Sequence, residues 1–430
     1  MLLLPLIALL AGRPDVPSEF GAYLAKPDSS YSTTSKSDEK GMTIDMTSQT
    51  WQGIPWKHTI LYTDKKKVEK KGIAILYITG DGPRPGDYMD LALINAATTL
   101  PVATLFNVPN QPLWDMKEDD LIAYSFDKYL STGDASWPLL FPMAKSAIRA
   151  MDAIQAATKN SENPIKQFVV TGASKRGWTT WFVGASKDPR VIGIAPMVID
   201  NLNVAKQMPH QLESWGKYSE QIEEYTRRGL QAKLATPEGR KLGQMIDPYS
   251  YLPNVKVPTL IVTAANDPYW AVDAMSQYWG DLKMPHWATI IPNAGHDLGD
   301  KIQVLQTVGS FAASLSGDFK MPQISWTLSA PVVNADNREM TLKGESKGLP
   351  FDSIRIWTVT SDTLDFRPEK WTKAAELSVE GASNSMVSHS AIVFAIPANK
   401  NVAVLAEAHY HVGSKRFTLS RPVTVFKARS

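Results

Sequence analysis

The rhythm of hydrophobic and polar positions changes twice along this chain. Near the start, Met42, Ile44 and Met46 alternate with Thr43, Asp45 and Thr47, the period-two pattern of a half-buried strand, and His58–Tyr62 predicts its partner. From Gly72 onward the pattern becomes short continuous apolar runs: Gly72–Ile78, Val102–Leu105, Phe168–Val170, Val191–Ala195, Thr259–Val262 and Ala288–Ile291. Such runs suit parallel strands buried on both faces. Between them, Ile148, Met151 and Ile154 recur every three residues within Lys145–Lys159, which is one stripe of a helix. Strand, helix, strand repeated in this way predicts a doubly wound, mostly parallel α/β sheet over residues 13–319. Residues 201–250 break the alternation with charged amphipathic segments holding Trp215, Tyr218 and Tyr225, and predict an inserted helical cap. After Phe319 the helical signal fades. Ile324–Leu328, Ile354–Val359, Ala391–Ile396, Val402–Ala408 and Val423–Phe426 are strand-like and separated by turn residues, so residues 320–430 predict a β-sandwich. Residues 13–40 are polar, rich in Ser, Pro and Asp, and predict an irregular lead-in.

Composition narrows the function classes. With 45 basic and 43 acidic side chains the net charge is +2, which gives no basic field for nucleic acid. There is no cysteine, so disulfides, thiolate metal sites and cysteine nucleophiles are excluded. Leu2–Leu10 is apolar and followed by Ala11 and Gly12, the core of a signal peptide without its basic flank; residues 1–12 are the expected leader. No other stretch approaches the ~20 apolar residues of a membrane helix, so no stable membrane insertion is expected.

The sharpest chemical signal is Gln167–Trp178, QFVVTGASKRGW. A buried run ends at Gly172 and a helix begins after Ser174. A serine on such a tight strand-to-helix turn is a nucleophile elbow, its hydroxyl lifted clear of the sheet. The usual spacing G-x-S-x-G is altered here: Arg176 stands in the second glycine position and Gly177 follows it. A plain Ser N-cap is the alternative reading. A hydroxyl nucleophile needs a base, and the base an orienting acid. Asp267 follows the run Thr259–Val262, and His296 follows the next run, Ala288–Ile291. Ser174, Asp267 and His296 thus occur in the order Ser, acid, His, each just past a buried strand, where ligands gather in such sheets. Asp200, after the Val191 strand, is the rival acid. His58, His210, His286, His389, His409 and His411 lack the strand-loop setting, and His409 and His411 are expected at the surface.

An oxyanion needs fixed donors. The backbone N–H of Lys175 is one, and Gly80 or Asp81, in the loop after Ile78, is the expected second. Lys175 and Arg176 are candidates to anchor an acidic substrate group, with Arg176 pairing a carboxylate of a neighbouring loop as the alternative. Tyr269 and Trp270, just after the acid, are expected in a pocket wall, while Trp178 and Trp181 suit the core.

The elbow TGASKRGWTTW, with WPLLFPMAKSAIRAMDAIQ, SQTWQGIPWKH, TAANDPYW, NAGHDLGD and the closing SRPVTVF, resembles the PhoPQ-activated pathogenicity-related protein family over roughly residues 20–430. The resemblance implies an α/β-hydrolase fold, here followed by a sandwich of immunoglobulin or fibronectin III type, and a periplasmic or secreted setting. By position it puts nucleophile, acid and base on Ser174, Asp267 and His296. The expected activity is a serine hydrolase that cleaves an ester or amide of a small-molecule or peptide substrate through an acyl-enzyme, with no metal or organic cofactor. The alternative is a secreted binding or signalling protein on a hydrolase scaffold.

Overall fold

The structure, a computed structural model, describes residues 15–39, 41–63, 71–84, 94, 96, 98, 100–299, 301–334, 336–378 and 387–429. The expected leader, residues 1–12, lies outside the described residues. A nine-stranded sheet runs in the order β1-β2-β3-β5-β4-β6-β7-β8-β9. Its strands are β1 (Ser32–Asp38), β2 (Gly41–Trp51), β3 (Ile54–Thr63), β4 (Ile73–Ile78), β5 (Val102–Leu105), β6 (Gln167–Ala173), β7 (Val191–Met197), β8 (Thr259–Ala264) and β9 (His286–Ile291). The β1–β3 meander and its junction to β5 are antiparallel, and every pairing from β5 to β9 is parallel. Both faces of the parallel part are covered. In β6, Phe168 and Val170 join one core cluster and Val169 the other. Residues 72–78 and 168–170 therefore read as unbroken apolar runs.

The lead-in is more regular than expected. It forms helix α1 (Glu19–Ala25) and the edge strand β1. All seven residues of β1 are exposed, and α1 buries only Phe20, so neither carries an apolar stripe by which to predict it. Helix α2 (Glu118–Thr132) leads into α3 (Leu140–Thr158), and α4 (Lys175–Ala185) follows β6. Between β7 and β8 the chain makes α5 (Val204–Trp215), α6 (Glu223–Thr226), α7 (Leu230–Lys233) and α8 (Pro237–Ile246), the helical insertion expected over 201–250. Helix α9 (Lys301–Leu315) then closes the other face.

The C-terminal strands form two antiparallel sheets. One holds β10 (Gln323–Leu328), β11 (Val332–Asn334), β12 (Asn337–Lys347) and β15 (Val387–Pro397). The other holds β13 (Ser353–Ser361), β14 (Thr372–Ser378), β16 (Asn401–Val412), β17 (Lys415–Ser420) and β18 (Thr424–Phe426). Strand β16 is buried on both faces: Ala403 and Leu405 join the cluster around α3 and α4, while Val402, Val404, Ala406 and Ala408 join the cluster with α9 and the sandwich interior. Polar bonds add to this join. Ile290 N–H donates to Ser420 Oγ at 2.9 Å and Trp287 Nε1 to Pro322 O at 2.8 Å.

Candidate active site

Three loops at the C-terminal ends of parallel strands meet under the inserted helices. Ser174 turns the chain from β6 into α4 with φ 58° and ψ −128°, a left-handed conformation strained for a serine. Its N–H donates to Met197 O at 2.8 Å, and its own carbonyl accepts from Trp178 N–H at 3.0 Å as the helix starts. The turn tolerates no added bulk. A Cβ at Gly172 would lie 2.8 Å from Arg176 O, and one at Gly177 2.6 Å from Met197 O and 2.7 Å from the Ile199 side chain. Gly177→Ala is therefore expected to destabilise the protein by about 1–3 kcal/mol, the cost of overpacking, measured as a lowered denaturant midpoint; an unchanged midpoint would refute the close-approach argument.

Asp267, 3% exposed, accepts Tyr269 N–H on Oδ1 at 2.9 Å. Its Oδ2 lies 2.9 Å from His296 Nδ1. A carboxylate only accepts, so Nδ1 is the donor and the neutral ring's Nε2 is the acceptor. That Nε2 is buried and has no hydrogen-bond partner among the described residues. The Tyr269 ring lies against the imidazole, centroids 4.2 Å apart, and burial pushes its phenol up to about 12. Ser174, Lys175, Tyr269, Trp270 and His296 line one cavity, of about 790 Å³ with the open solvent at its mouth included. The rest of its wall is mostly apolar, including Phe126, Trp178, Met208, Ile222, Leu242 and Ile246. Asn201 Oδ1 and Trp270 Nε1, both from lining residues, are buried without partners among the described residues.

The rival acid Asp200 does not meet the imidazole. It accepts Tyr278 OH at 2.6 Å, and burial, with Asp267 and Asp273 nearby, pushes its carboxyl up to about 7. The other histidines have their own partners. His58 is buried between Phe106 O (3.1 Å) and Ser48 Oγ (3.0 Å), and burial pushes it down to about 4. His210 pairs with Asp273 at 2.7 Å. His411 is exposed as expected, but His409 is half-buried against Glu407, because the far face of β16 is covered.

The expectation for Arg176 as a substrate anchor is corrected. Its side chain turns away from the cavity, with Nε donating to Val108 O at 2.6 Å and Nη1 and Nη2 to the Glu118 carboxylate at 2.7 and 2.8 Å. Lys175 Nζ is equally committed, 2.9 Å from Glu118 and from Asp119. Burial pushes the Glu118 carboxyl up, but the hydrogen bonds and charge of Arg176, then Lys175, overcome this and hold it well below the usual carboxylate range. The guanidinium fills the space that a Cβ on Gly80 would occupy, 2.6 Å from Nη2, so a side chain at residue 80 would have to displace it. Gly80 and Asp81 do not line the cavity; their loop packs beneath the elbow through Arg176, and Asp81 accepts Gln111 Nε2 at 2.7 Å.

Three groups of residues at the site escape sequence reasoning. Glu118 and Asp119, acids in the first turn of α2, carry no signal in the sequence that ties them to the elbow. Asn266 Nδ2 donates to Phe366, Arg367 and Glu369 carbonyls at 3.3, 3.1 and 2.8 Å, and Asn293 exchanges two bonds with the Trp371 backbone at 2.8 and 3.0 Å. The β13–β14 connection of the C-terminal sheets thus holds both the Asp267 and the His296 loops. The same connection places Arg367 over the Trp215 ring at 3.8 Å, at the end of α5.

Comparison with known proteins agrees with this architecture. The sequence model of the PhoPQ-activated pathogenicity-related protein family matches residues 22–367. The autocrine proliferation repressor protein A of Dictyostelium discoideum is 29% identical over 400 residues, covering 85% of this chain and 79% of that protein. Among solved structures, acetyl xylan esterase 1 of a Thermoanaerobacterium species has a TM-score of 0.50 at 12% identity, covering 70% of this chain and 95% of that one. An acetyl xylan esterase of a Paenibacillus species has a TM-score of 0.44 at 14% identity, covering 68% and 94%. The fold is that of the α/β hydrolases, with C-terminal antiparallel sheets appended.

Proposed function

The chain belongs to the PhoPQ-activated pathogenicity-related protein family, and from that premise we propose that it is a serine hydrolase acting through Ser174, His296 and Asp267. The observation that carries the reading is the imidazole of His296, tied to a buried carboxylate by Nδ1, with no partner for Nε2 among the described residues, in a residue that lines the same cavity as Ser174. In the reaction, Ser174 Oγ attacks the scissile carbonyl as His296 Nε2 takes its proton. Asp267 fixes the tautomer and stabilises the imidazolium. The developing oxyanion is held by the Lys175 N–H, at the start of α4. His296 then protonates the leaving group, and water releases the acyl-enzyme by the reverse route.

The apolar cavity fits a substrate with a bulky hydrophobic group. Asn201 Oδ1 and Trp270 Nε1 favour one that also carries a neutral hydrogen-bonding function, since leaving each unpaired costs about 1–3 kcal/mol. Esters and amides are both compatible with this chemistry. Family membership supports an exported setting.

The test is labelling by a fluorophosphonate probe. Wild-type protein is expected to label, and folded Ser174→Ala not at all; a folded wild-type protein that stays unlabelled would refute the reading. A second reading, action by binding rather than catalysis, draws on the name of the Dictyostelium relative, a proliferation repressor. Biological activity retained in Ser174→Ala would select it.

A further inference from the structure

A second, larger recess lies at the opposite end of β9 from the His296 loop. It is a cleft of about 1960 Å³, open solvent included, between the edge of the nine-stranded sheet, around His286–Ala288, and the C-terminal strands β10 and β17 with the residues that lead into β18. It shares no lining residue with the Ser174 cavity. Among the described residues its charged side chains are Lys283 and Arg421, and no aspartate or glutamate lines it. Trp279, Trp287 and Trp326 also line it, all partly exposed, with His286 packed edge-on to Trp279 at 4.5 Å.

Arg421 is the informative group. It is partly buried, yet among the described residues no carboxylate pairs with it. Nη1 donates to Pro422 O at 3.3 Å and to Thr424 Oγ1, which leaves most of the guanidinium fork without a protein acceptor. Burial without a compensating charge lowers its pKa from the ordinary value. Elsewhere in the chain the partly buried Arg190 and Arg367 and the buried Arg176 each hold a carboxylate in a short ion pair, and the buried Arg338 donates to three backbone carbonyls. A desolvated cation without a partner is costly unless an anion completes it. The planar fork matches a carboxylate two bonds at a time. The three indoles supply flat apolar faces, against which the C–H face of a pyranose ring packs while its hydroxyls stay in water.

We propose that this cleft binds an acidic oligosaccharide, with a uronic-acid carboxylate on Arg421, Lys283 supporting the charge, and sugar rings against the tryptophans. The site is independent of hydrolysis at Ser174. It gives the C-terminal sheets a role in holding a polymer to the protein.

The test is calorimetric titration of the full chain with hexagalacturonate, in parallel with neutral cellohexaose, a hexaglutamate peptide and inorganic phosphate. Saturable binding of hexagalacturonate is expected, at least tenfold tighter than cellohexaose and weakened by 0.5 M salt, as an interaction with an accessible charge should be. Arg421→Met is expected to weaken it at least tenfold, and the exposed Lys283→Met by a smaller factor. Both variants should keep the wild-type thermal melt, a readout independent of labelling at Ser174, so loss of binding is read on folded protein. Absent binding, equal affinity for cellohexaose, or undiminished binding by Arg421→Met would overturn the proposal. Hexaglutamate or phosphate bound as tightly as the sugar would replace the saccharide site with a general anion site and overturn it too.

Discussion

The Asp267→Asn enzyme is expected to turn over about 10⁴-fold more slowly than wild type, the size of effect that a wrong imidazole tautomer produces in a triad, while keeping its fold. The hydrogen bonds at this side chain dictate the direction. Oδ1 accepts the Tyr269 N–H and Oδ2 faces His296 Nδ1. An asparagine has one acceptor. If its carbonyl oxygen keeps the backbone N–H, its NH₂ faces Nδ1 and forces that nitrogen to accept. The ring proton then moves to Nε2, the atom that must receive the proton of Ser174. The substitution is nearly isosteric, so the cavity walls and the Tyr269 contact persist. The measurement is kcat on the best ester of a substrate panel, with a thermal melt to confirm folding. A variant within tenfold of wild type would remove Asp267 from the mechanism. Asp200→Asn is the matched control. Asp200 is engaged by Tyr278 and its carboxyl is already pushed up to about 7, so a neutral amide there should cost turnover far less.

What the sequence reveals depends on which surfaces a segment buries. β4, β6, β7, β8 and β9 are legible as unbroken apolar runs because helices or sheets cover both their faces. β1 is illegible because it is an edge strand made of exposed Ser, Thr, Lys and Asp. β12 hides for another reason: its inward positions include Arg338, Gly344 and Ser346 beside Met340 and Leu342, so its alternation is not one of hydrophobicity. At the site, the positions after parallel strands bring Asp267 to His296, and His296 to the cavity of Ser174. Strand order alone predicts such convergence. The Arg176–Glu118 pair is not legible, because it joins segments 58 residues apart with no local pattern linking them. The asparagine contacts to residues 366–371 are equally hidden: Asn266 and Asn293 look like ordinary turn residues until the C-terminal sheets are docked.

That docking leads to the other large expected effect. A chain ending at residue 319 is expected not to fold cooperatively, although the missing residues form sheets of their own. Removing them strips Val359, Phe366, Trp371, Leu405 and Val423 from the cluster that surrounds α3 and α4. Each such side chain contributes about 1.5–3 kcal/mol when fully buried, so the loss is on the order of 10 kcal/mol, comparable to the whole margin of about 5–15 kcal/mol that holds a typical domain together. The truncation also frees Asn266 and Asn293, which hold the Asp267 and His296 loops, and uncovers the faces of α9 and β9 where Ser310 and Ile290 bond to β17. The expected result is insoluble protein, or soluble protein with exposed apolar surface that binds a hydrophobic dye and melts without a sharp transition. A milder cut at the same join, Asn293→Ala in the full chain, should leave the melt cooperative and lower kcat, because it frees the His296 loop without opening the core. A soluble, sharply melting 1–319 fragment would show that the two parts are separate folding units and that the shared cluster adds little to stability.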